Sequence, residues 1–371
     1  MGDTQKHTKP NVPNLRFPGF KGEWKQYTMG EITELFSRRN KNRTDYPMFS
    51  VTNARGFVNQ QEQFEDREMK GEDISAYKIV SPGEFAYNPA RINVGSIARY
   101  DGETDCMISS LYVCFKAKTE LVDSQLLLHI LKSPKMVYNY GINGEGGVRI
   151  YLFYPNFSRI RVKLPSLEEQ RKIASFLDLI EERIQIQNKV IEQYQSLIRA
   201  ITHTFFNSKS DYPRVPLSDL SPNIASGKSK LALGPFPLYG STGIIGTCTS
   251  GIYKGEMILV ARVGSIGQIQ LINTGGCGIT DNTLIVNSGE LNHYVYFYLK
   301  SFDFQKITSG TTQPLITGSS LKAINVPVLP FQERDSFIKL LAAIEQRITL
   351  EQTILQQYLK TKSFFLTSLF V

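Results

Sequence analysis

The sequence predicts an α+β protein that arose by tandem duplication: two strand-rich globular segments alternate with two long helices. Three observations carry this reading. The stretch IEERIQIQNKVIEQY (180–194) returns as IEQRITLEQTILQQY (344–358), with six of fifteen positions identical at an offset of 164 residues. Both copies lie in a sustained heptad pattern, the mark of a helix with one apolar seam. The text before each helix is instead made of short apolar runs broken by Gly, Pro, Asn and Asp, the mark of strands and turns.

Taken in order, residues 1–14 (MGDTQKHTKPNVPN) are polar and proline-containing and read as a flexible tail. The tail has no apolar stretch of the signal-peptide kind. A first globular domain is expected over 15–166, where YKIV, EFAYN and SLYVCFKA read as strands and Ser124–Lys132 as a helix. Pro165 and Ser166 then start the first long helix (167–207), with Glu168 and Glu169 at the positive end of its dipole. Its seam is Leu177, Ile180, Ile184, Gln187, Ile191, Tyr194, Ile198, Ile201 and Phe205. A second globular domain (208–328) contains strand-like KGEMILVARVGSIGQIQLI and TDNTLIV. The second long helix (329–371) carries the seam Leu341, Ile344, Ile348, Glu351, Leu355, Tyr358, Lys362, Phe365 and Leu369. Each seam is interrupted at the same place, by Gln187 and by Glu351, and a polar group there typically fixes register at some cost in stability. A helix of ~38 residues at ~1.5 Å per residue reaches ~57 Å, longer than a small domain is wide, which favours a paired helix over one packed on its own domain. The globular segments also echo each other. Val94-Gly95-Ser96-Ile97 matches Val263-Gly264-Ser265-Ile266, and RIRVKLP (159–165) and AINVPVLP (323–330) both lead into a helix.

The formal charge is +8, distributed as +5 over 1–163, −1 over 164–206, +3 over 207–328 and +1 over 329–371. The surplus sits in the globular segments, which suits a polyanionic partner. Cys106, Cys114, Cys248 and Cys277 show no CxxC spacing, and the four histidines are scattered, so a zinc site is not expected. Four cysteines in a chain of 371 residues read as reduced core residues. No apolar run approaches the ~20 residues of a membrane span. A cytoplasmic protein is expected.

Catalytic motifs fail on inspection. Gly227-Lys228-Ser229 resembles the end of a phosphate-binding loop, but Pro222 stands where that motif needs its first glycine. Tyr87-Asn88-Pro89-Ala90 is similar to an amino-methyltransferase motif but has Ala90 and Arg91 in place of the second proline and the aromatic. No GxGxxG loop precedes it, and no Gly-x-Ser-x-Gly or His-Glu-x-x-His is present. An adenine methyltransferase or nuclease would show activity from this chain alone, whereas a non-enzymatic coiled-coil scaffold with protein-binding domains would bind no DNA.

DNA reading fits better. Base edges and phosphates are reached by Arg, Lys, Asn, Gln, Ser and Thr. Such residues sit beside glycines in NARGFVNQ (53–60), NPARINVGSIAR (88–99), NGEGGVRIY (143–151), SGKSK (226–230), YGSTG (239–243), ARVGSIGQ (261–268) and SGTTQP (309–314). The candidates for base contact are Asn53, Arg91, Asn93 and Arg149 in the first domain and Lys228, Ser241, Arg262 and Gln313 in the second.

With these features in place, the chain resembles the DNA-specificity subunit of type I restriction–modification systems. The resemblance spans nearly the whole sequence. It rests on NVPNLRFPGFKGEWKQYTMGEI (11–32), LPSLEEQRKIASFLDLIEERI (164–184), the weaker YPRVPLSDL (212–220) and LPFQERDSFIKLLAAIEQRI (329–348). The second copy departs from the first, with Gln332-Glu333-Arg334 where Glu168-Glu169-Gln170 stands. The resemblance implies two target recognition domains, each reading half of a split site in double-stranded DNA. It also implies an antiparallel two-helix coiled-coil spacer with pseudo-twofold symmetry, which docks two methyltransferase subunits and, in the full complex, restriction subunits. No cofactor is then expected in this chain, because S-adenosylmethionine, ATP and magnesium belong to those partners.

Overall fold

The computed structural model describes residues 11–60, 73–146, 150–208, 211–310 and 314–370. The chain forms two compact units, Met1–Ile186 with Leu355–Val371, and Gln187–Ile354. Both long helices are therefore shared between units, a division different from the five consecutive segments expected from the sequence. The reason is antiparallel packing: the second half of one helix lies beside the first half of the other, so each unit takes one half of each.

In the first unit, β1 (Lys25–Thr28) pairs antiparallel with β10 (Arg161–Leu164). Between them the chain makes two four-stranded sheets. One has the order β2 (Thr33–Phe36), β9 (Val113–Ala117), β6 (Phe85–Tyr87), β7 (Ile97–Arg99) and is antiparallel throughout. The other runs β4 (Gly56–Asn59), β3 (Met48–Thr52), β8 (Cys106–Ile108), β5 (Lys78–Val80), with β3 and β8 parallel. The YKIV, EFAYN and SLYVCFKA runs supply β5, β6 and β9. The expected helix at 124–132 is α2 (Ser124–Leu131), after the short α1 (Met29–Ile32); Asp123 caps α2 by accepting from Gln125 N and Leu126 N. α3 (Pro134–Asn143) begins with proline at its first turn and Ser133 as cap. A short α4 (Tyr154–Phe157) follows.

The second unit repeats the frame with different filling. Strand β11 (Arg214–Pro216) pairs antiparallel with β18 (Asn325–Pro327). Equivalent backbone bonds lock both frames: Met29 N donates to Ile160 O at 2.8 Å, and Leu217 N to Ile324 O at 2.7 Å. Inside the frame is a six-stranded mixed sheet with the order β12 (Ala225–Ser226), β17 (Thr283–Val286), β15 (Tyr253–Ala261), β16 (Ile269–Ile279), β13 (Phe236–Gly240), β14 (Gly243–Cys248). Two small helices, α6 (Leu217–Leu220) and α8 (Gly318–Lys322), and the ten-residue α7 (Asn292–Ser301) complete it.

The long helices are α5 (Leu167–Asn207), 41 residues without Gly or Pro, and α9 (Phe331–Ser368), 38 residues. Every seam position read from the sequence is buried or half-buried. In the first unit Phe176 and Phe365 meet edge to face at 4.7 Å, and Glu181 pairs with Lys362, which explains the lysine in the second seam. In the second unit Phe205 stacks on Phe337. There too Gln187 Nε2 donates to Glu351 O at 3.0 Å and also to its carboxylate, which Arg347 holds from the other side at 2.5 Å. The two polar breaks thus satisfy each other. Gln187 and Glu351 are each other's duplicate at the 164-residue offset, and in an antiparallel pair of duplicated helices only the self-equivalent position meets its own copy.

The signature stretches act as fasteners. Arg16, from LRFPGF, grips the Glu169 carboxylate with Nε at 2.8 Å and Nη2 at 2.7 Å, and also donates to the carbonyls of Gly22 and Lys21. This pairing raises the Arg16 guanidinium pKa above its usual value. Gln170 donates to Leu121 O and Pro165 O and accepts from Asp123 N. In the second copy Glu333 accepts from the Tyr212 hydroxyl at 2.8 Å, and Arg334 lies 6.0 Å from the Tyr294 ring. The departure from the first copy therefore changes the partner and keeps the fastening carboxylate. Asn11 O accepts from Trp24 N, and Pro13 is buried, so residues 11–14 are held in place; residues 1–10 lie outside those described.

Glu169→Ala is expected to destabilise the first unit by about 1.5–3 kcal/mol, the range for hydrogen bonds to charged groups. Arg16→Ala should cost a similar amount, and the double variant should cost clearly less than the sum in chemical denaturation. Gln187→Leu alone should cost about 1 kcal/mol, because it strips Glu351 of a donor. The pair Gln187→Leu with Glu351→Leu should be neutral or stabilising, because buried polar partners replaced together by apolar groups leave nothing unsatisfied.

Candidate nucleic-acid interface

In the first unit the turn after β3 and the loop before β7 lie against each other. A Cβ on Gly95 would sit 3.2 Å from the Cβ of Asn53, and Ser96 Oγ donates to Val51 O at 2.7 Å. Arg91 anchors the loop, its carbonyl accepting from Val94 N and Ser96 N, and Gly95 closes it at φ +95°. Asn53 and Arg91 are exposed and Asn93 is half-buried, so three of the four expected contact residues share one rigid surface. Leu152 N donates to Pro89 O and brings up a further element, in which exposed Tyr151 and Phe153 stack at 6.2 Å on either side of buried Leu152. Polar residue types in the sequence do not point to that aromatic pair. Arg149 lies outside the described residues.

In the second unit Lys228 and Arg262 converge on the turn 280–283. Gly227 N donates to Thr283 O, Ser229 N to Ile279 O, and Arg262 N to Asn282 O. Lys228 is exposed. Arg262 is half-buried, and among the described residues its Nε has no hydrogen-bond partner. Ser241, at the tip of the β13–β14 hairpin, uses its carbonyl to accept from Gln270 Nε2 at 3.3 Å. Gln313 lies outside the described residues. The repeated Val-Gly-Ser-Ile turn keeps its left-handed glycine in both units, Gly95 at +95° and Gly264 at +78°. The serine differs: Ser96 is buried and bonded, whereas Ser265 is exposed. The backbone device has persisted while the side-chain environment diverged.

All four cysteines are buried, and burial pushes the Cys106 and Cys114 thiols up to about 12, so neither carries a thiolate at neutral pH. Gly227-Lys228-Ser229 does not enter a helix, so it lacks the strand–loop–helix setting of a phosphate-binding loop. Among the described residues no group of three or more His, Cys, Asp or Glu could hold a metal, and no helix is long and apolar enough to cross a membrane.

The type I restriction modification DNA specificity domain matches this sequence twice, over residues 21–195 and 207–359. The chain belongs to that family. Its specificity domains stand in tandem, each α+β, with a long helix between them. It is 21% identical over 393 aligned residues to a putative type I restriction enzyme MjaX specificity subunit from Methanocaldococcus jannaschii, covering 92% of this chain and 91% of the relative. A shorter match, 20% identical over 188 residues, is to the type I restriction enzyme HindI specificity subunit of Haemophilus influenzae, over 50% of this chain and 41% of the relative. The fold is shared with the S subunit of a type I restriction–modification system from M. genitalium at a TM-score of 0.62 and 16% identity, covering 97% of this chain and 99% of that one. A second type I restriction–modification structure, described for complex assembly and conformational transition, matches at 0.54 and 15% identity over 95% and 97%.

If Arg91 meets a guanine edge, Arg91→Ala should lose about 1–3 kcal/mol of binding at a single target position, read by competition among single-base variants of the site. A uniform loss across all variants would instead assign Arg91 to a phosphate.

Proposed function

We propose that this chain is the DNA-specificity subunit of a type I restriction–modification complex, one domain reading each half of a bipartite site. The observation that carries the reading is the double match to the specificity domain together with reading loops assembled in each unit. On this reading the domains are 15–166 and 208–328, and the helices 167–207 and 329–371 act as the spacer. Asn53, Arg91 and Asn93 contact one half-site, with Arg149; Lys228, Ser241 and Arg262 contact the other, with Gln313. Two readers tied to one spacer raise each other's effective concentration on a single duplex, so modest half-sites add up to tight binding.

The chain is non-catalytic in this role and takes two methyltransferase subunits, with restriction subunits joining in the full complex. Those partners supply S-adenosylmethionine, ATP and magnesium. The face of each long helix away from the seam offers apolar purchase for such docking: Leu179 and Ile186 on the first-unit part of α5, and Leu340 and Leu350 on the second-unit part of α9, are all exposed. Two exposed aliphatic residues on each helix, seven apart on α5 and ten apart on α9, give a partner helix apolar contact points.

The spacer role has a direct test. One heptad is ~10.5 Å of helix, close to ~3 base pairs of duplex. Deleting one matched heptad from each helix should shorten the preferred gap by about that amount and leave both half-sequences unchanged, as read by mapping methylated sites in a host expressing the complex. An unchanged gap would remove the spacer from the proposal.

A further inference from the structure

The segment KSKLAL (228–233) has no regular secondary structure, yet it is pinned along its length. Gly227 N and Ser229 N donate to Thr283 O and Ile279 O, and Lys228 N donates to the Tyr253 hydroxyl at 3.1 Å. Further along, Ala232 N donates to Thr247 O at 3.0 Å, and Thr247 Oγ1 donates back to Ala232 O at 3.0 Å. A glycine at each end permits the contact. A Cβ at Gly227 would fall 2.2 Å from Ile279 O, and one at Gly234 would fall 2.2 Å from Cys248 O.

This fixed strip displays side chains that a free surface does not favour. Leu233 is 98% exposed and Leu231 69%, beside Ile244 at 62% and Ile245 at 50% on the adjoining strand β14. Lys228 and Lys230 are exposed in the same strip. From Leu220 to Gly255 the sequence holds three lysines and no acidic residue. A flexible loop would fold its leucines away. Here the backbone bonds hold Leu233 out, so the ordering cost of presenting it is met before any partner arrives. Lysines without acidic neighbours favour a polyanion, and an aliphatic side chain flanked by phosphate-binding cations is the arrangement by which proteins wedge a base step open and kink a duplex.

We propose that residues 228–233 form a DNA wedge in the second unit: Lys228 and Lys230 hold phosphates while Leu233 inserts against a base step of that unit's half-site. This rests on the specificity-subunit reading and adds deformation of the duplex to the polar contacts of Ser241 and Arg262. The half-site read by this unit then contains a step that unstacks readily, of the pyrimidine–purine kind.

The test uses the full chain assembled with its methyltransferase partners and a duplex carrying the site mapped from methylated host DNA. Leu233→Ala alters a fully exposed side chain, so thermal unfolding should be unchanged. Its affinity for the site should fall about ten-fold, the salt dependence of binding should stay as in the parent, and the bend measured by energy transfer between labelled duplex ends should diminish. Lys228→Ala and Lys230→Ala should each lower the magnitude of the salt slope by about one. Parental affinity and bend in Leu233→Ala would overturn the wedge and mark the patch as a face for another macromolecule. Weaker binding with the bend intact would also overturn it. Failure of the parent complex to prefer the mapped site over a scrambled duplex would bring down the specificity reading itself, an outcome separable from either.

Discussion

The contact between Gln187 and Glu351 constrains the rest of the architecture. An apolar heptad seam is permissive: sliding one helix past the other by seven residues restores nearly the same apolar overlap, displaced by ~10.5 Å. A buried amide facing a buried carboxylate is not permissive, because any slip leaves both groups against hydrocarbon at a cost that apolar overlap cannot recover. Glu351 is also held by Arg347, so the pair forms a short polar network with the apolar seam continuing on either side. The two residues are duplicates of each other, so this contact fixes where the two copies of the helix cross in register. Within the second unit the stacking of Phe205 on Phe337 keeps the same register.

Register alone would not position a reading loop, since the globular part must also be fixed to its helix. The two units do this with a carboxylate on the long helix in each, at positions that are not duplicates: at the 164-residue offset Asp178 corresponds to Ala342, and Glu345 to Glu181. In the first, Asp178 on α5 accepts from Gln125 Nε2 and bonds His129 Nε2 at 2.7 Å, so α2 is tied to the long helix. Burial lowers the His129 pKa, which favours a neutral ring at that contact. In the second unit, Glu345 on α9 accepts from the Tyr296 hydroxyl and from Lys300 Nζ at 2.6 Å, so α7 is tied in the same manner. Glu169 with Arg16, and Glu333 with Tyr212, repeat the theme at the helix starts. A carboxylate on the helix is the constant feature, and the donor opposite it has varied. One acceptor can take an amide, a phenol, an ammonium or a guanidinium without a change of backbone.

This explains which parts could be read from the sequence. Periodicity is a property of single positions repeated along the chain, so the helices and their seams were visible, down to the shared polar break. Strand existence was likewise visible in runs such as YKIV and EFAYN. Pairing was not: nothing local says that β3 and β8 run parallel within an otherwise antiparallel sheet, or that β1 closes on β10, its nearest paired residues Thr28 and Arg161 lying 133 positions apart. The site divides similarly. Residue type selected Asn53 and Arg91, but their convergence depends on Gly95 meeting the Asn53 turn from 42 residues away. The aromatic pair Tyr151 and Phe153 and the fixed leucines of KSKLAL escaped because apolar residues in a strand-rich segment read as core unless the fold shows them outside. The RFPGF and LPSLEEQ stretches were visible as landmarks, while their chemistry as two ends of one ion pair, 153 residues apart, needed the fold.

The unequal divergence of the two copies follows from the same physics. A seam residue is constrained by a partner helix that carries its own seam, so a change in one copy must be matched in the other. The Lys362 that interrupts the second seam is answered by Glu181 on the other helix. The loops around Gly95 and Gly264 face outward, and their backbone is secured by glycines and main-chain bonds that do not depend on which exposed side chain is displayed. Gly95 and Gly264 keep the same left-handed turn while the serine after each has taken a different environment. Fixed frames with replaceable displays allow the exposed loops to change without disturbing the helices that carry them. That separation is a physical reason for one chain to carry the same helix twice and two dissimilar globular segments between.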